Sequence, residues 1–286
     1  MGQLKGGHLS LPVFLAVLAA AFLHAAWNAL IKTGASKQSA MLILSFGHAI
    51  CGAGVVLWKG WLPAATVPWV IGSGLIHMCY QTFLSYAYDH GDLSRVYPIA
   101  RGGAPMLVLV VSAAFLSDQM ERMELIGVLI LGFGILLMAR GVFTSGESRK
   151  MLPFAVGSAI ATAGYSITDG MGARVAGDAV LYVGWLMILS AIFYTPAAFA
   201  LKGRGLLTSP PKAWALGLIA AAASFSAYAI AVWAMTVAPI ALVAALRETS
   251  ILFAVLIGWL MFGEKMGRDK WIAIAVILTG VIVTRL

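Results

Sequence analysis

The stretch from Arg101 to Arg122 reads RGGAPMLVLVVSAAFLSDQMER, and the stretch from Arg247 to Arg268 reads RETSILFAVLIGWLMFGEKMGR. A shift of 146 residues superimposes the first on the second and needs no gap as far as the end of the chain. The residues that this shift matches include Arg101 with Arg247, Asp118 with Glu264, Met120 with Met266, Arg122 with Arg268 and Gly134 with Gly280. The chain therefore contains two copies of one structural unit.

Hydropathy predicts how these copies are built. Ten apolar spans are expected, with approximate limits 11–32, 39–58, 66–88, 94–116, 123–141, 152–172, 179–201, 212–236, 239–262 and 268–286. Each copy holds five spans, and because five is odd the second copy enters the membrane from the opposite side. The sequence thus predicts an all-α polytopic membrane protein, with two inverted five-helix repeats (1–150 and 151–286) around a central cavity.

Composition supports a membrane protein and excludes other classes. Of the 286 residues, 61% are hydrophobic and only 10% are charged, whereas a soluble domain is about half apolar and a quarter charged. This much apolar surface must face lipid, which excludes a soluble enzyme, a disordered chain and a disulfide scaffold. The formal charge of +8 could suggest a nucleic-acid partner, but its distribution gives another explanation.

The basic residues are unevenly divided between the two sides of the predicted bundle. The odd-numbered loops carry twelve Lys and Arg residues and the opposite side carries five, while Arg101 and Arg247 lie within spans. Because basic loops stay in the cytoplasm, the odd loops are predicted to be cytoplasmic and both termini external. We expect a multi-pass protein of the cell inner membrane and no nucleic-acid partner.

Several motifs resemble those of a known family. They are HAAWNALIK at 24–32, YPIAR at 97–101, ALRETS at 245–250, GEK at 263–265 and WIAIAVILTG at 271–280. The whole chain resembles ten-helix members of the drug/metabolite transporter superfamily with two EamA domains. That resemblance implies a cavity lined mainly by helices 1, 3, 4, 6, 8 and 9. It also implies transport of small metabolites, since exporters of amino acids, including bacterial exporters of aromatic amino acids, belong to this group.

Two arginines are the leading candidates for binding substrate. A charge inside a span is costly unless it has a partner or a function, and Arg101 and Arg247 each lie about two turns into a span. The inverted topology places Arg101 toward the cytoplasm and Arg247 toward the outside. Each guanidinium could bind a carboxylate or phosphate in a two-pronged contact, or could tie helices together, and the structural role is the stronger one for Arg247.

Glu248 follows Arg247 directly, so the two side chains do not face each other on a helix. The carboxylate could neutralise another basic group, or it could titrate as a coupling group if burial raises its pKa. Its six counterparts near the predicted span ends are expected to be helix caps and solvated turns: Asp89, Asp92, Asp118, Asp169, Asp178 and Glu264. The first span has no carboxylate, unlike the small multidrug-resistance relatives, which argues against export of organic cations.

The third span has a polar and aromatic face formed by His77, Tyr80, Gln81, Leu84 and Tyr88, which recur at helical spacing. Because lipid disfavours His and Gln, this face is expected to line the cavity, with a hydrogen-bonded helix seam as the alternative. Aromatic walls with a few polar tips suit an amphipathic metabolite. The predicted substrate-binding residues are Trp27, Asn28, His77, Tyr80, Gln81, Tyr97, Arg101, Tyr165, Tyr228, Arg247 and Glu248.

The functional hypothesis is a secondary transporter that exports amino acids, aromatic or otherwise apolar, by alternating access. The first alternative is a transporter of another anionic metabolite, either phosphorylated or a carboxylate. An intramembrane enzyme is a remote alternative, because the sequence has no nucleophile elbow, no HExxH helix and no paired membrane aspartates at a usable spacing. No cofactor or metal is predicted; the expected partners are a small-molecule substrate and the lipid bilayer, and a monomer is compatible with the sequence.

Overall fold

The computed structural model describes residues 9–31, 37–90, 93–116, 118–144, 149–263 and 266–286. Within these ranges the side chains at 37–38, 88–89, 93–101, 139–144, 149, 202, 204, 206 and 262 lie outside the description. All regular secondary structure in the described part is helical, and no strand occurs there. This agrees with the predicted all-α class.

The helices follow the predicted spans closely. They are α1 (Leu11–Ile31), α2 (Lys37–Lys59), α3 (Val67–His90), α4 (Leu93–Phe115), α5 (Arg122–Thr144), α6 (Leu152–Ala176), α7 (Ala179–Lys202), α8 (Pro211–Val237), α9 (Ile240–Arg247), α10 (Ser250–Phe262) and α11 (Arg268–Val283). Because α9 and α10 together occupy the predicted ninth span, the ten predicted membrane segments are present.

That ninth segment differs from the prediction of one continuous helix over 239–262. It breaks at Glu248 and Thr249, where Glu248 N–H donates to the Ala245 carbonyl at 3.0 Å and Thr249 N–H donates to the Leu246 carbonyl at 3.1 Å. These bonds span three residues rather than four, so the chain tightens into a 3₁₀ turn. The Thr249 hydroxyl also donates to the Leu246 carbonyl at 2.7 Å and so competes for a helical acceptor.

The bundle has the dimensions and surface of a membrane protein. Five stretches of the described chain are long and apolar enough to cross a bilayer: Leu11–Ile31, Ser39–Lys59, Ala179–Leu201, Pro211–Val237 and Ile240–Met261. Large apolar side chains such as Leu57, Phe115 and Met261 are exposed on the outside of the bundle. An apolar exterior of this kind is stable in lipid rather than in water.

Helix packing reveals a pseudo-twofold relationship between the halves. The repeat exchanges α1 with α6, α2 with α7, α3 with α8, α4 with α9–α10, and α5 with α11. Accordingly, α3 packs on α6 as α8 packs on α1, and α4 packs on α6 as α9–α10 pack on α1. The pairs α2–α7 and α5–α11 each join helices that the repeat exchanges. These pairings are those expected of two halves related by an approximate twofold axis.

Glycines show this symmetry in atomic detail on the α5–α11 pair. A Cβ built on Gly134 would lie 2.7 Å from Ile277 Cγ1, and one on Gly280 would lie 2.5 Å from the Leu131 nitrogen. The 146-residue shift converts the first contact into the second. The fifth span thus has a small, closely packed face, because backbones approach closely where side chains are absent.

Two glycines of α3, Gly72 and Gly74, differ in their surroundings. A Cβ on Gly74 would lie 3.1 Å from the ring of Phe193, whereas a Cβ on Gly72 would meet no atom of the described residues within 4 Å. Gly74 therefore packs closely on α7, and Gly72 points into open space. Gly72 offers a matched control for the glycines that do pack.

We predict that Gly280→Ala destabilises the protein. The new methyl group would press on the backbone of α5, which cannot move as a side chain can, and such overpacking costs about 1–3 kcal/mol. Gly72→Ala should be neutral or mildly stabilising, since Ala favours a helix over Gly by about 1 kcal/mol. Thermal unfolding of the purified variants in detergent measures both. Equal melting temperatures for the two variants would contradict the prediction.

Candidate functional site

A buried carboxylate lies at the centre of the polar interior. Asp169 of α6 is fully buried, and Tyr182 of α7 donates its hydroxyl to Oδ1 at 3.0 Å. Oδ2 contacts His77 Nε2 of α3 at 3.1 Å and accepts a hydrogen bond from the Tyr228 hydroxyl of α8. We call Asp169 with His77, Tyr165, Tyr182 and Tyr228 the Asp169 cluster. The prediction that Asp169 is a cap or a solvated turn was wrong.

Physical chemistry explains why the carboxylate has so many partners. A buried charge or polar group is unfavourable unless hydrogen bonds replace those it made to water, and the cost is greater in a membrane. Here three helices supply the donors. Gly172, one turn further along α6, makes room for one of them, because a Cβ there would lie 2.6 Å from the Tyr182 ring. The absence of a side chain at residue 172 of α6 thus leaves the space that the Tyr182 ring occupies.

Aromatic rings enclose this centre. The His77 ring stacks on Tyr165 with centroids 4.2 Å apart and meets Tyr228 edge-on at 5.6 Å. Tyr80 contacts Tyr165 edge-on at 5.4 Å. Tyr165 and Tyr228 are themselves 6.1 Å apart. The predicted residues His77, Tyr80, Tyr165 and Tyr228 are therefore brought together, and they derive from both halves of the chain.

Arg247 is joined to the same cluster through Tyr228. Its guanidinium carbon lies 5.1 Å from the centre of the Tyr228 ring, a cation–π contact. The Tyr228 ring thus faces a cation, while its hydroxyl group binds the Asp169 carboxylate. Arg247 is partly exposed, at the end of α9 just before the break in the ninth segment. Tyr228 therefore contacts both the Arg247 guanidinium and the Asp169 carboxylate.

The face predicted on the third span divides between two roles. His77 and Tyr80 belong to the aromatic enclosure, but Gln81 turns to α7 and donates to the Ser190 hydroxyl at 3.0 Å. Leu84 is buried in a separate apolar cluster with Met151. The side chain of Tyr88 lies outside the description. The helix-seam alternative is therefore present at Gln81, while the lining of a cavity by this face stays a prediction.

Trp27 and Asn28 occupy another part of the bundle. Trp27 is buried against α2 and α8, and its indole N–H contacts His24 Nδ1 at 3.3 Å. Asn28 donates its amide to the His24 carbonyl at 2.8 Å, one turn back in α1. Among the described residues, the recorded polar contacts of both side chains are therefore with α1 itself, and Trp27 packs in an apolar cluster separate from the Asp169 cluster.

The other predicted site residues lie in the fourth and ninth segments. Glu248 is buried in the turn between α9 and α10, beside Arg247. Tyr97 and Arg101 are carried by α4, and their side chains lie outside the description. A binding role for these three residues remains a prediction.

Two of the remaining carboxylates do act as caps. Asp178 directly precedes α7 as its N-cap and accepts from the N–H groups of Val180 and Leu181, both at 3.0 Å. Asp118 accepts from the N–H of Ile240, the first residue of α9, at 3.1 Å. Those two predictions of capping are confirmed, although Asp118 caps a helix of the opposite repeat. Asp89, Asp92 and Glu264 are outside the side chains that the structure describes.

Two members of the cluster were not predicted as site residues. Asp169 lies four residues after Tyr165, so the pair shares one face of α6, and this spacing could have indicated the carboxylate. Tyr182 has no comparable signal, because it lies at the beginning of α7, where an aromatic residue is equally expected as an interfacial anchor. Its role follows only from packing in three dimensions.

The fold and the buried polar centre are typical of secondary membrane transporters built from inverted repeats. Sequence comparison is more specific. The family model described as the EamA-like transporter family matches residues 11–140 and again residues 149–286. The chain therefore belongs to the EamA-like transporter family, a membrane transporter family of the drug/metabolite transporter superfamily.

Comparison with solved structures agrees on the fold. A protein described only as "Crystal structure of protein" superimposes with a TM-score of 0.76, covering 96% of this chain and 98% of its own. The two sequences are 18% identical, so the likeness concerns the fold alone. A search of curated proteins gives no significant match.

We predict that Tyr228→Phe and Tyr182→Phe each destabilise the protein. Each substitution removes one donor from a buried carboxylate, and a lost partner of this kind costs about 1–3 kcal/mol. Tyr194→Phe is the control, because that buried tyrosine of α7 packs in a separate cluster with Leu42 and Ala198. Thermal unfolding in detergent measures the three variants. A loss in the control as large as in the other two would contradict the prediction.

Proposed function

We propose that this transporter carries amino acids with aromatic or other apolar side chains, and that the Asp169 cluster with Arg247 and Tyr80 forms its binding site. The observation that carries the proposal is the double contact of Tyr228, with a guanidinium on its ring and a carboxylate on its hydroxyl group. Opposite charges close together complement a zwitterion. The rings of His77, Tyr80 and Tyr165 provide flat apolar walls for its side chain.

Transport would proceed by alternating access. The two repeats, proposed as 1–150 and 151–286, would exchange conformations about the pseudo-twofold relationship that their packing displays. His77 comes from the first half and Asp169 from the second, so the site lies between the units that would move. Arg101 is proposed as the partner of Arg247 at the other end of the pathway.

For direction and location, we propose export across the cell inner membrane with both termini outside. Support comes from the distribution of basic residues, twelve on the odd-numbered loops against five on the other side. The family implies a small-molecule substrate, and the amino-acid class derives from the charges and rings of the site.

A second candidate is an anionic metabolite, phosphorylated or with several carboxylates. The partly exposed guanidinium of Arg247 favours it, because such a group binds either anion. The buried Asp169 carboxylate opposes it, since a second negative charge would be repelled. We therefore rank the zwitterion first.

We predict that purified protein in liposomes exchanges labelled tryptophan, phenylalanine or threonine by counterflow. The panel should include a phosphorylated sugar and a dicarboxylate, whose exchange in place of amino acids would support the second candidate. Absence of exchange with every amino acid in a broad panel would contradict the proposal. This assay requires no assumption about the coupling ion.

In the same assay, Arg247→Ala should weaken substrate binding by about 10–100-fold. A hydrogen bond to a charged group is worth about 1.5–3 kcal/mol, and 1.4 kcal/mol corresponds to tenfold. Arg268→Ala is the matched control, because Arg268 is an exposed arginine at the beginning of α11. Equal effects of the two substitutions would contradict a role for Arg247 in the site.

A further inference from the structure

One end of the bundle is held together by polar contacts that join the two halves. We call the end that carries Leu9 and Arg285 the terminal face; α2, α4, α6 and α8 end there, and α7 and α9 begin there. One group of contacts at this face surrounds Arg174, near the end of α6. At about 1.5 Å per residue, Arg174 lies roughly 7.5 Å along the helix from Asp169. This group therefore lies between the Asp169 cluster and the terminal face.

Arg174 is fixed within the second half. Its Nε donates to the Met235 carbonyl at 2.9 Å, and one terminal nitrogen donates to the Ala238 carbonyl at 3.1 Å. Met235 lies in the last turn of α8, and the final carbonyls of a helix have no partner within it. Arg174 thus caps α8 and belongs to the frame of the second repeat.

Asp118 is the contribution of the first half. Its carboxylate binds Arg174 in a two-pronged contact, with nitrogen–oxygen distances of 2.6 and 2.9 Å. It also accepts the Ile240 N–H at 3.1 Å, where the positive end of the α9 dipole favours a negative charge. Its side chain is only 6% exposed. The hydrogen bonds that the described residues make to the Asp118 carboxylate therefore come from the other repeat.

Further contacts at the same face also cross between the halves. Lys59 of α2 pairs with Asp178, the residue that caps α7, at 2.5 Å, and the Trp185 indole donates to the Gly60 carbonyl at 3.2 Å. Partial burial tends to raise the pKa of Asp178, but the Lys59 contact and two backbone N–H donors outweigh it and lower that pKa. The stabilisation from Asp178 is thus present at neutral pH and is lost as the pH falls through the lowered pKa.

We propose that Asp118 is the latch of a gate at the terminal face, released from Arg174 and from α9 when that face opens. The proposal rests on the alternating access proposed above. Opening the terminal face by rocking one half against the other must break contacts between the halves at that face, whereas contacts within a half can persist. Arg174 would therefore keep its hydrogen bonds to the carbonyls at the end of α8, while the Asp118 carboxylate would separate from Arg174 and from the Ile240 N–H. Two-pronged binding of this kind has two discrete states, paired and unpaired, as a gate requires.

The test measures access to the interior from the terminal face. In protein whose Cys51 and Cys79 are replaced by serine, Ser166→Cys places a reporter on the buried face of α6, one turn before Asp169. A membrane-impermeant maleimide is added to liposomes on the side that labels Trp61→Cys, since Trp61 is 84% exposed on the terminal face. Asp118→Asn should raise the labelling rate of the reporter about tenfold by shifting the population toward the open state.

The matched control is Asp269→Asn, which removes an equally negative but exposed carboxylate from the first turn of α11. Its labelling rate should equal that of the parent protein. If Asp118→Asn does not purify as a folded protein, Asp178→Asn tests the neighbouring contact, with a smaller increase expected.

A folded Asp118→Asn protein with unchanged labelling would overturn the latch, as would an equal increase in the Asp269→Asn control. Counterflow distinguishes this result from failure of the proposed function. Faster labelling without exchange of any amino acid would support the gate and refute the substrate class. Exchange with unchanged labelling would support the substrate and refute the latch.

Discussion

The arrangement of the bundle depends on the burial of one carboxylate. Asp169 is fully buried in an apolar bundle, and its oxygens need donors that neither water nor lipid can supply there. Those donors come from α3, α7 and α8, so their positions around α6 are specified to within a hydrogen bond. Apolar packing alone would tolerate many helix orientations. The hydrogen bonds to Asp169 favour one of these orientations.

Around this centre, the packing is symmetric but the chemistry is not. The glycine contacts of α5 and α11 repeat across the halves, and so do the pairings of α3 with α6 and of α8 with α1. In the His77–Asp169 contact, the histidine belongs to the first half and the carboxylate to the second, so this contact is not symmetric. A symmetric frame permits two equivalent conformations, while asymmetric polar groups can make their free energies differ.

The sequence predicted the frame better than the site, for physical reasons. Apolar runs of about twenty residues are visible in one dimension, and all ten segments lie where hydropathy places them. Asp169 was misjudged because the sixth span was predicted to end at residue 172, which left the aspartate near an end, whereas α6 continues to Ala176. The contact of Tyr228 with Arg247 joins residues whose proximity depends on the packing of α8 against α9, which no local pattern encodes.

The 3₁₀ turn at Glu248 and Thr249 has a rotational consequence for the site. A 3₁₀ helix turns by about 120° per residue and an α-helix by about 100°, so each residue that converts would rotate the two flanking helices relative to each other by about 20°. Arg247 is the last residue of α9, and its guanidinium faces the ring of Tyr228. Conversion of this turn between 3₁₀ and α-helical hydrogen bonding would therefore rotate α10 about the axis of α9, the helix that ends at Arg247.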